Sequence, residues 1–277
     1  MLGNQLRVLR RERGMTLKDA AEVIRGSVSK VSRLERGESP PKERDVHDLL
    51  HFYKASPGQV QQITLQLQHM QNKEWWQQYR DVAPGFLKKL IGLEGCADKI
   101  CTYENHVVPG ILQTETYARV LVKGAMPHLS DVEIEKRVRL RKHRQVMLAR
   151  PGPLVVALLD ESVLRRPVGG PAVMCEQLEH LKGLDDVPNV NVRVVTFEKG
   201  AGVAPTYPIT HLRFGDGGPP ELVYVELIDS ALYLTRATEI ERYRHVLGEL
   251  SLKAATREET MDLLTEMIRY YRSRHRL

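Results

Sequence analysis

The 277-residue sequence has little cysteine: Cys96, Cys101 and Cys175 are all there is. An odd count with no zinc-ligand spacing argues against a disulfide framework and against a structural metal. It fits a reduced, cytoplasmic protein with no cofactor. Long apolar runs are missing too; none approaches the roughly 20 residues that a membrane helix needs, so no membrane partner is expected. The opening stretch MLGNQLRVLRRERG is amphipathic and lacks the apolar core and small-residue cleavage site of a signal peptide. What is present is ordinary globular material, 42% apolar and 27% charged, long enough for about two domains.

The net charge of +6 is unevenly spread. Residues 1–70 hold 12 Lys/Arg against 8 Asp/Glu, while the remaining 207 residues hold 29 against 27. The excess positive charge therefore lies mostly in the first quarter, which suits a polyanion partner there.

That quarter reads as a chain of short helices. Leu2, Leu6 and Leu9 share a helical face, and Gly14 ends the helix. Thr16 caps the next, with Asp19 three residues on in the reciprocal capping arrangement. Ala20, Ala21 and Ile24 give a small-residue face that permits close packing. Ser27 caps a third helix in "SVSKVSRLERGESPP" (27–41), with Val28, Val31 and Leu34 expected inside. Pro40 and Pro41 close the unit. Val46, Leu49, Leu50 and Tyr53 mark a fourth helix, and Ser56-Pro57 begins a fifth with Val60, Ile63, Leu67 and Met70 on its face. With its valines inward, the third helix turns Ser29, Lys30, Ser32, Arg33 and Arg36 outward. Small hydroxyls let a helix sit deep in a major groove, and the cations reach base edges or phosphates.

"LGNQLRVLRRERGMTLKDAA" followed by "SVSKVSRLERGESPP" resembles the Xre (Cro/repressor) helix-turn-helix family along the whole first domain. Leu6, Arg7, Arg10, Gly14, Thr16, Ala21, Ser27, Ser29, Ser32, Leu34, Glu35 and Gly37 carry the match. Two positions depart from it: Leu17 stands where the family usually has a phosphate-binding Gln, and Gly26 comes one residue after the usual turn glycine. The resemblance implies a five-helix, lambda-repressor-like domain over 1–70 that binds double-stranded DNA as a homodimer. Lys18, Ser27, Ser29, Lys30, Ser32, Arg33 and Arg36 are its expected DNA contacts, and Arg10 with Glu35 an internal salt bridge.

Residues 71–84, with both tryptophans and a Pro-Gly end, read as a junction. From 85 to 277 a second, α/β domain is expected, making the chain α+β with a small sheet flanked by helices. Phe86, Leu87, Leu90, Leu93, Ala97 and Ile100 recur at helical spacing. An extended piece stopped by Pro109-Gly110 and a helix through Tyr117 and Leu121 follow, then another helix over 130–150 in which Ile134, Val138, Arg141 and Gln145 share a face, as do Arg137 and Arg144. "LVVALLD" (154–160) is a continuous apolar run, as in a strand buried on both faces. With the helix after Pro171 and the strand "VNVRVVTF" (190–197) it forms a parallel crossover. "YPITHLRF" (207–214) and "ELVYVELI" (221–228) read as a hairpin whose first strand, after Pro208, begins at an edge. Helices over 237–250 and 256–273 finish the chain, the last with Thr256 and Glu259 in a capping box.

"YENHVVPGILQTETYARVL", "RKHRQVMLARPGPLVVALLDESVLRRPVGGPAVMCEQLEHL" and "LVYVE" resemble the C-terminal domain of WhiJ-like, antitoxin-like regulators of filamentous actinobacteria. The resemblance covers the chain from about residue 70 and implies a transcriptional regulator, nucleoid-associated when bound to DNA, often encoded beside a small BldB-like partner protein.

Catalytic signals are sparse. "RRPVGGPAV" (165–173) lacks the Lys-Ser/Thr of a phosphate loop and reads as a tight turn with Pro171 at the first helical position. His106 and His211 stand apart, without neighbouring ligands, so no metal is expected. The candidates for a ligand or partner contact are Arg137, Arg144, Glu161, Arg165 and Arg166. The leading expectation is a non-enzymatic, sequence-specific DNA-binding regulator whose second domain binds a small protein partner or ligand. An antitoxin with autoregulatory DNA binding is one alternative; an enzyme domain with chemistry around Glu161, Arg165 and Glu226 is the other.

Overall fold

The computed structural model describes residues 2–36, 41–60, 63–64, 79, 81–146, 152–215 and 221–275. It divides into two compact units, Met1–Trp75 and Trp76–Leu277. Gly37, Pro40, Leu67, Met70, both tryptophans and most of the expected junction lie outside the described residues, as does the side chain of Arg36.

The first unit is helical: α1 (Leu2–Glu12), α2 (Leu17–Val23), α3 (Val28–Arg36) and α4 (Glu43–Phe52). Its core is built on Leu6, Ala20, Val31, Val46, Leu49 and Tyr53, all buried. Thr16 caps α2 with Asp19 in both directions of the capping box, and the Ser27 hydroxyl accepts from Lys30 N at 3.2 Å to start α3. At 57–60 the chain turns helical again, with the Ser56 hydroxyl accepting from Gln59 N at 3.3 Å. Val28 is not inside as expected but 44% exposed. It is the first residue of α3 and projects beyond the core edge, so the inward stripe is Val31, Leu34 and Glu35. The turn into α3 places Arg25, not Gly26, in the left-handed region, at φ 49°.

The second unit is a six-stranded mixed sheet flanked by helices. Its strands are β1 (Lys99–Glu104), β2 (Leu154–Asp160), β3 (Val190–Val195), β4 (Ile209–Arg213), β5 (Glu221–Glu226) and β6 (Ala231–Leu234), in the order β3-β2-β1-β4-β5-β6. β1, β2 and β3 pair in parallel, and β4, β5 and β6 continue antiparallel from β1. Side chains alternate across the sheet. Ile100, Val155, Val192 and Leu212 pack with helices Gly85–Glu94, Pro171–Gly183 and Arg257–His275 on one face. Tyr103, Leu158, Val195 and Val223 pack with Ala237–Lys253 on the other. The chain is α+β.

Two expectations are corrected. The helical repeat from Phe86 stops at Glu94, and Ile100 belongs to β1. Four of the six β1 residues are buried because the strand lies inside the sheet with both faces covered, so no polar alternation marks it as a strand. The hairpin strand after Pro208 is likewise not an edge: β4 lies between β1 and β5, and Pro208 precedes its first ladder residue.

Candidate functional site

In the first unit Arg10 and Glu35 make a two-pronged pair, Nε to Oε1 at 2.6 Å and Nη2 to Oε2 at 2.9 Å. Arg10 Nη1 also donates to Met15 O at 2.8 Å. One guanidinium thereby ties α1, the turn before α2 and the end of α3. The hydrogen bond to Glu35 raises the Arg10 pKa above its usual value. The outer side of α3 carries Ser29 and Arg33, both exposed, with Ser32 half-buried beside them. Arg33 Nε lies 3.4 Å from Ser29 O, along the helix surface. Ser27 and Lys18 are exposed as well. Lys30 departs from its expected place: its ammonium lies 2.5 Å from Asp45 Oδ2 of α4 and is not a free cation on the outer face. The side chain of Arg36 falls outside the described residues.

The second unit holds a cavity of about 320 Å³ on one face of its sheet. Strand alternation builds its floor: Ile100, Thr102 and Glu104 from β1, Thr210 from β4, and Tyr224 and Glu226 from β5. Leu87, Leu90 and Glu94 of Gly85–Glu94, the segment 107–113, and Arg141 and Arg144 of Asp131–Val146 form the walls. Polar groups are held in defined positions. Arg144 Nη2 and Nε donate to Glu94 at 2.7 and 3.1 Å, Tyr224 donates to Glu226 Oε2 at 2.7 Å, and the Thr102 and Thr210 hydroxyls meet at 3.1 Å. Burial disfavours the Arg144 charge, but Glu94 more than offsets it and its pKa is raised.

Arg141 and Glu104 are different. Neither makes a hydrogen bond or ion pair among the described residues, and both line the cavity. Each is ringed by protein, yet faces enough open space to remain reachable. Burial, with Glu226 nearby, pushes the Glu104 carboxyl up to about 8. Burial, with Arg144 and Arg137 nearby, lowers Arg141 to about 10. Gln113, also on the cavity wall, has a fully buried Oε1 without a partner among the described residues.

Residues 1–63 match the family described as a helix-turn-helix domain, and residues 87–266, more than half of the chain, match a domain of unknown function, DUF5753. The chain belongs to the DUF5753 family. No curated protein and no solved structure matches it. The helix-turn-helix domain makes the protein a DNA-binding regulator, and among the described residues no helix is long and apolar enough to cross a membrane.

Within the DUF5753 domain the expected ligand residues do not gather in one place. Arg144 reaches the cavity but is committed to Glu94, and Arg137 is half-buried outside its lining. The expected inward residue Gln145 donates to Gln113 O. Glu161 binds Arg165 Nε at 2.7 Å and accepts from Phe197 N at 3.0 Å, on a surface it shares with Glu259 and Glu266. Arg165 and Arg166 are exposed. The trio Glu161, Arg165 and Glu226 is therefore not assembled: Glu226 belongs to the cavity and the other two do not. The turn 165–173 is explained by Gly169 and Gly170, at φ 70° and 85°, and by Pro171 starting its helix. Among the described residues no cluster of three or more His, Cys, Asp or Glu has the arrangement of a metal site. The residues that sequence reading did not select are Glu104, Arg141 and Tyr224. The alternation Thr102/Glu104 and Tyr224/Glu226 was the available signal.

Proposed function

We propose that the protein is a sequence-specific transcriptional regulator that binds duplex DNA as a homodimer through the outer side of α3, and that its DUF5753 domain supplies regulation and not catalysis. The observation that carries the reading is the clamped α3. A buried Arg10–Glu35 pair fixes a helix whose free side offers hydroxyls and a guanidinium, the groups that read base edges and hold phosphates. Exposed Lys18 on α2 would hold backbone phosphate in this reading. A single domain of this size reads only a few base pairs, so specific affinity calls for two half-sites about one helical turn apart. The likeness to WhiJ-like regulators supports a small BldB-like protein as a partner, and DNA and partner would then alter each other's affinity by the same factor.

The test begins with selection of bound fragments from genomic DNA by the full chain. On the enriched site, Arg33→Ala is expected to cost about 1–3 kcal/mol and to relax discrimination at one position. Equal affinity of wild type and a Ser29→Ala/Arg33→Ala variant would remove α3 as the reading element. Light scattering that showed a monomer both on and off DNA would remove the dimer.

A further inference from the structure

The cavity under β1, β4 and β5 holds two ionisable side chains that have no hydrogen-bond or ion-pair partner among the described residues. Arg141 faces it with no ion pair, whereas neighbouring Arg144 is neutralised by Glu94. Glu104 faces it with no donor, whereas Glu226 is held by the Tyr224 hydroxyl. Burying such groups without compensation is costly. Glu104 ends β1 and Glu226 ends β5, two floor strands with β4 between them, and Arg141 lies on the helix Asp131–Val146 that walls the site. The site thus has a cationic wall and a carboxyl floor around a volume of about 320 Å³, within the range of small-molecule pockets.

We propose that this cavity binds a small zwitterion of amino-acid type, its carboxylate on Arg141 and its ammonium group between Glu104 and Glu226. The alternatives fit the charges less well. An anion alone meets Arg141 but turns negative charge toward two carboxyls, and a cation alone leaves Arg141 unpaired. An apolar occupant satisfies neither wall. A phosphate dianion carries more charge than the single unneutralised guanidinium balances, so a carboxylate is the matching anion. This deepens the regulatory reading of the DUF5753 domain and rests on it for its biological meaning.

The test uses the full chain without DNA. The common amino acids, their C-terminal amides and their N-acetyl derivatives are titrated by calorimetry, with thermal shift as a second readout. At least one amino acid is expected to bind and to raise Tm, and its amide and N-acetyl forms to bind at least about tenfold more weakly, a difference of about 1.4 kcal/mol. Arg141→Gln is expected to weaken the amino acid by a similar factor and to abolish its advantage over the amide. No binding by any amino acid at about 10 mM, a concentration that reaches even weak millimolar sites, would overturn the proposal. So would equal binding of the amide, or unchanged affinity in Arg141→Gln. If that variant does not fold by circular dichroism, the derivative series on the wild-type chain decides alone. Operator affinity with and without the bound amino acid is measured separately. An amino acid that binds without changing it overturns the regulatory role and leaves the site standing.

Discussion

Gly3 shows how one missing carbon sets the frame of the DNA-binding unit. A Cβ at that position would overlap Leu34 O and come within 2.8 Å of Glu35 O, both backbone atoms of α3. Neither can swing away as a side-chain tip would, so α1 and α3 must separate. Gly3→Ala is therefore expected to destabilise the first unit by about 1–3 kcal/mol, despite adding a good helix former, and thermal unfolding checks it. A variant as stable as wild type would show that α1 yields at no cost. Arg25 is the opposite case. It holds φ 49° in the turn before α3, is exposed, and has a side chain that the turn does not need. The left-handed region costs a non-glycine residue about 1–2 kcal/mol. Glycine recovers most of that and loses some to chain entropy, so Arg25→Gly is expected to raise stability by about 0.5–1 kcal/mol. Urea midpoints of the two proteins test it; an unchanged or lowered midpoint would mean that the Arg25 side chain contributes more than its exposure implies.

At the scale of the element, α3 is fixed from two sides, by Arg10 of α1 on Glu35 and by Asp45 of α4 on Lys30. The second clamp changes what DNA meets, because Lys30 is held at a distance of 2.5 Å by a largely buried carboxylate. Asp45→Asn removes that hold. The variant is expected to gain one cation for phosphate, steepening the dependence of log affinity on log salt by about 0.9. An unchanged slope would place Lys30 out of reach of the backbone. The same two helices show where sequence reading succeeds and stops. Capping at Thr16, Ser27 and Thr256 is written in adjacent residues and was legible, and so was β2, whose apolar run answers to its interior place in the sheet. Lys30 was not, because its partner lies fifteen positions away on another helix. β1 was legible only at its end, in the extended piece before Pro109-Gly110: burial on both faces erased the polar alternation of the rest, leaving Ala97 and Ile100 to continue a helical count. β6 escaped notice as a four-residue strand. The cavity was illegible for a related reason: its floor takes alternate residues from β1 and, more than a hundred positions later, from β4 and β5. Each strand segment shows one or two polar residues, and only the sheet order gathers them.

Over the whole molecule, pH acts through the buried groups, since the carboxylates with lowered pKa that pair at the surface, such as Asp81 and Glu133, are solvent-screened and contribute little. Glu104 is displaced from an ordinary 4.5 to about 8, by burial first and by Glu226 second. Between those values the folded chain binds a proton that the unfolded chain has released, so stability falls as pH rises through the window. His180 and His211 are lowered from 6.5, again by burial first. Below 6.5 the unfolded chain takes up protons that these folded histidines refuse, so their effect is a loss of stability as pH falls. The two slopes oppose each other, and the second unit is expected to be most stable in the mildly acidic range between them. Glu104→Gln separates the terms, because it keeps the shape and removes the charge. At pH 8.5 it is expected to stabilise the second unit by about 2 kcal/mol, discounted from the full shift because the cavity admits water. Near pH 4.5, where the carboxyl is protonated in the folded chain and about half so in the unfolded one, the gain should fall to roughly 0.4 kcal/mol, while the acid-side loss from the histidines persists. Urea unfolding of both proteins at pH 4.5, 6.5 and 8.5 reads this directly; a gain of equal size at every pH would trace the effect to packing and leave Glu104 without a role in the titration.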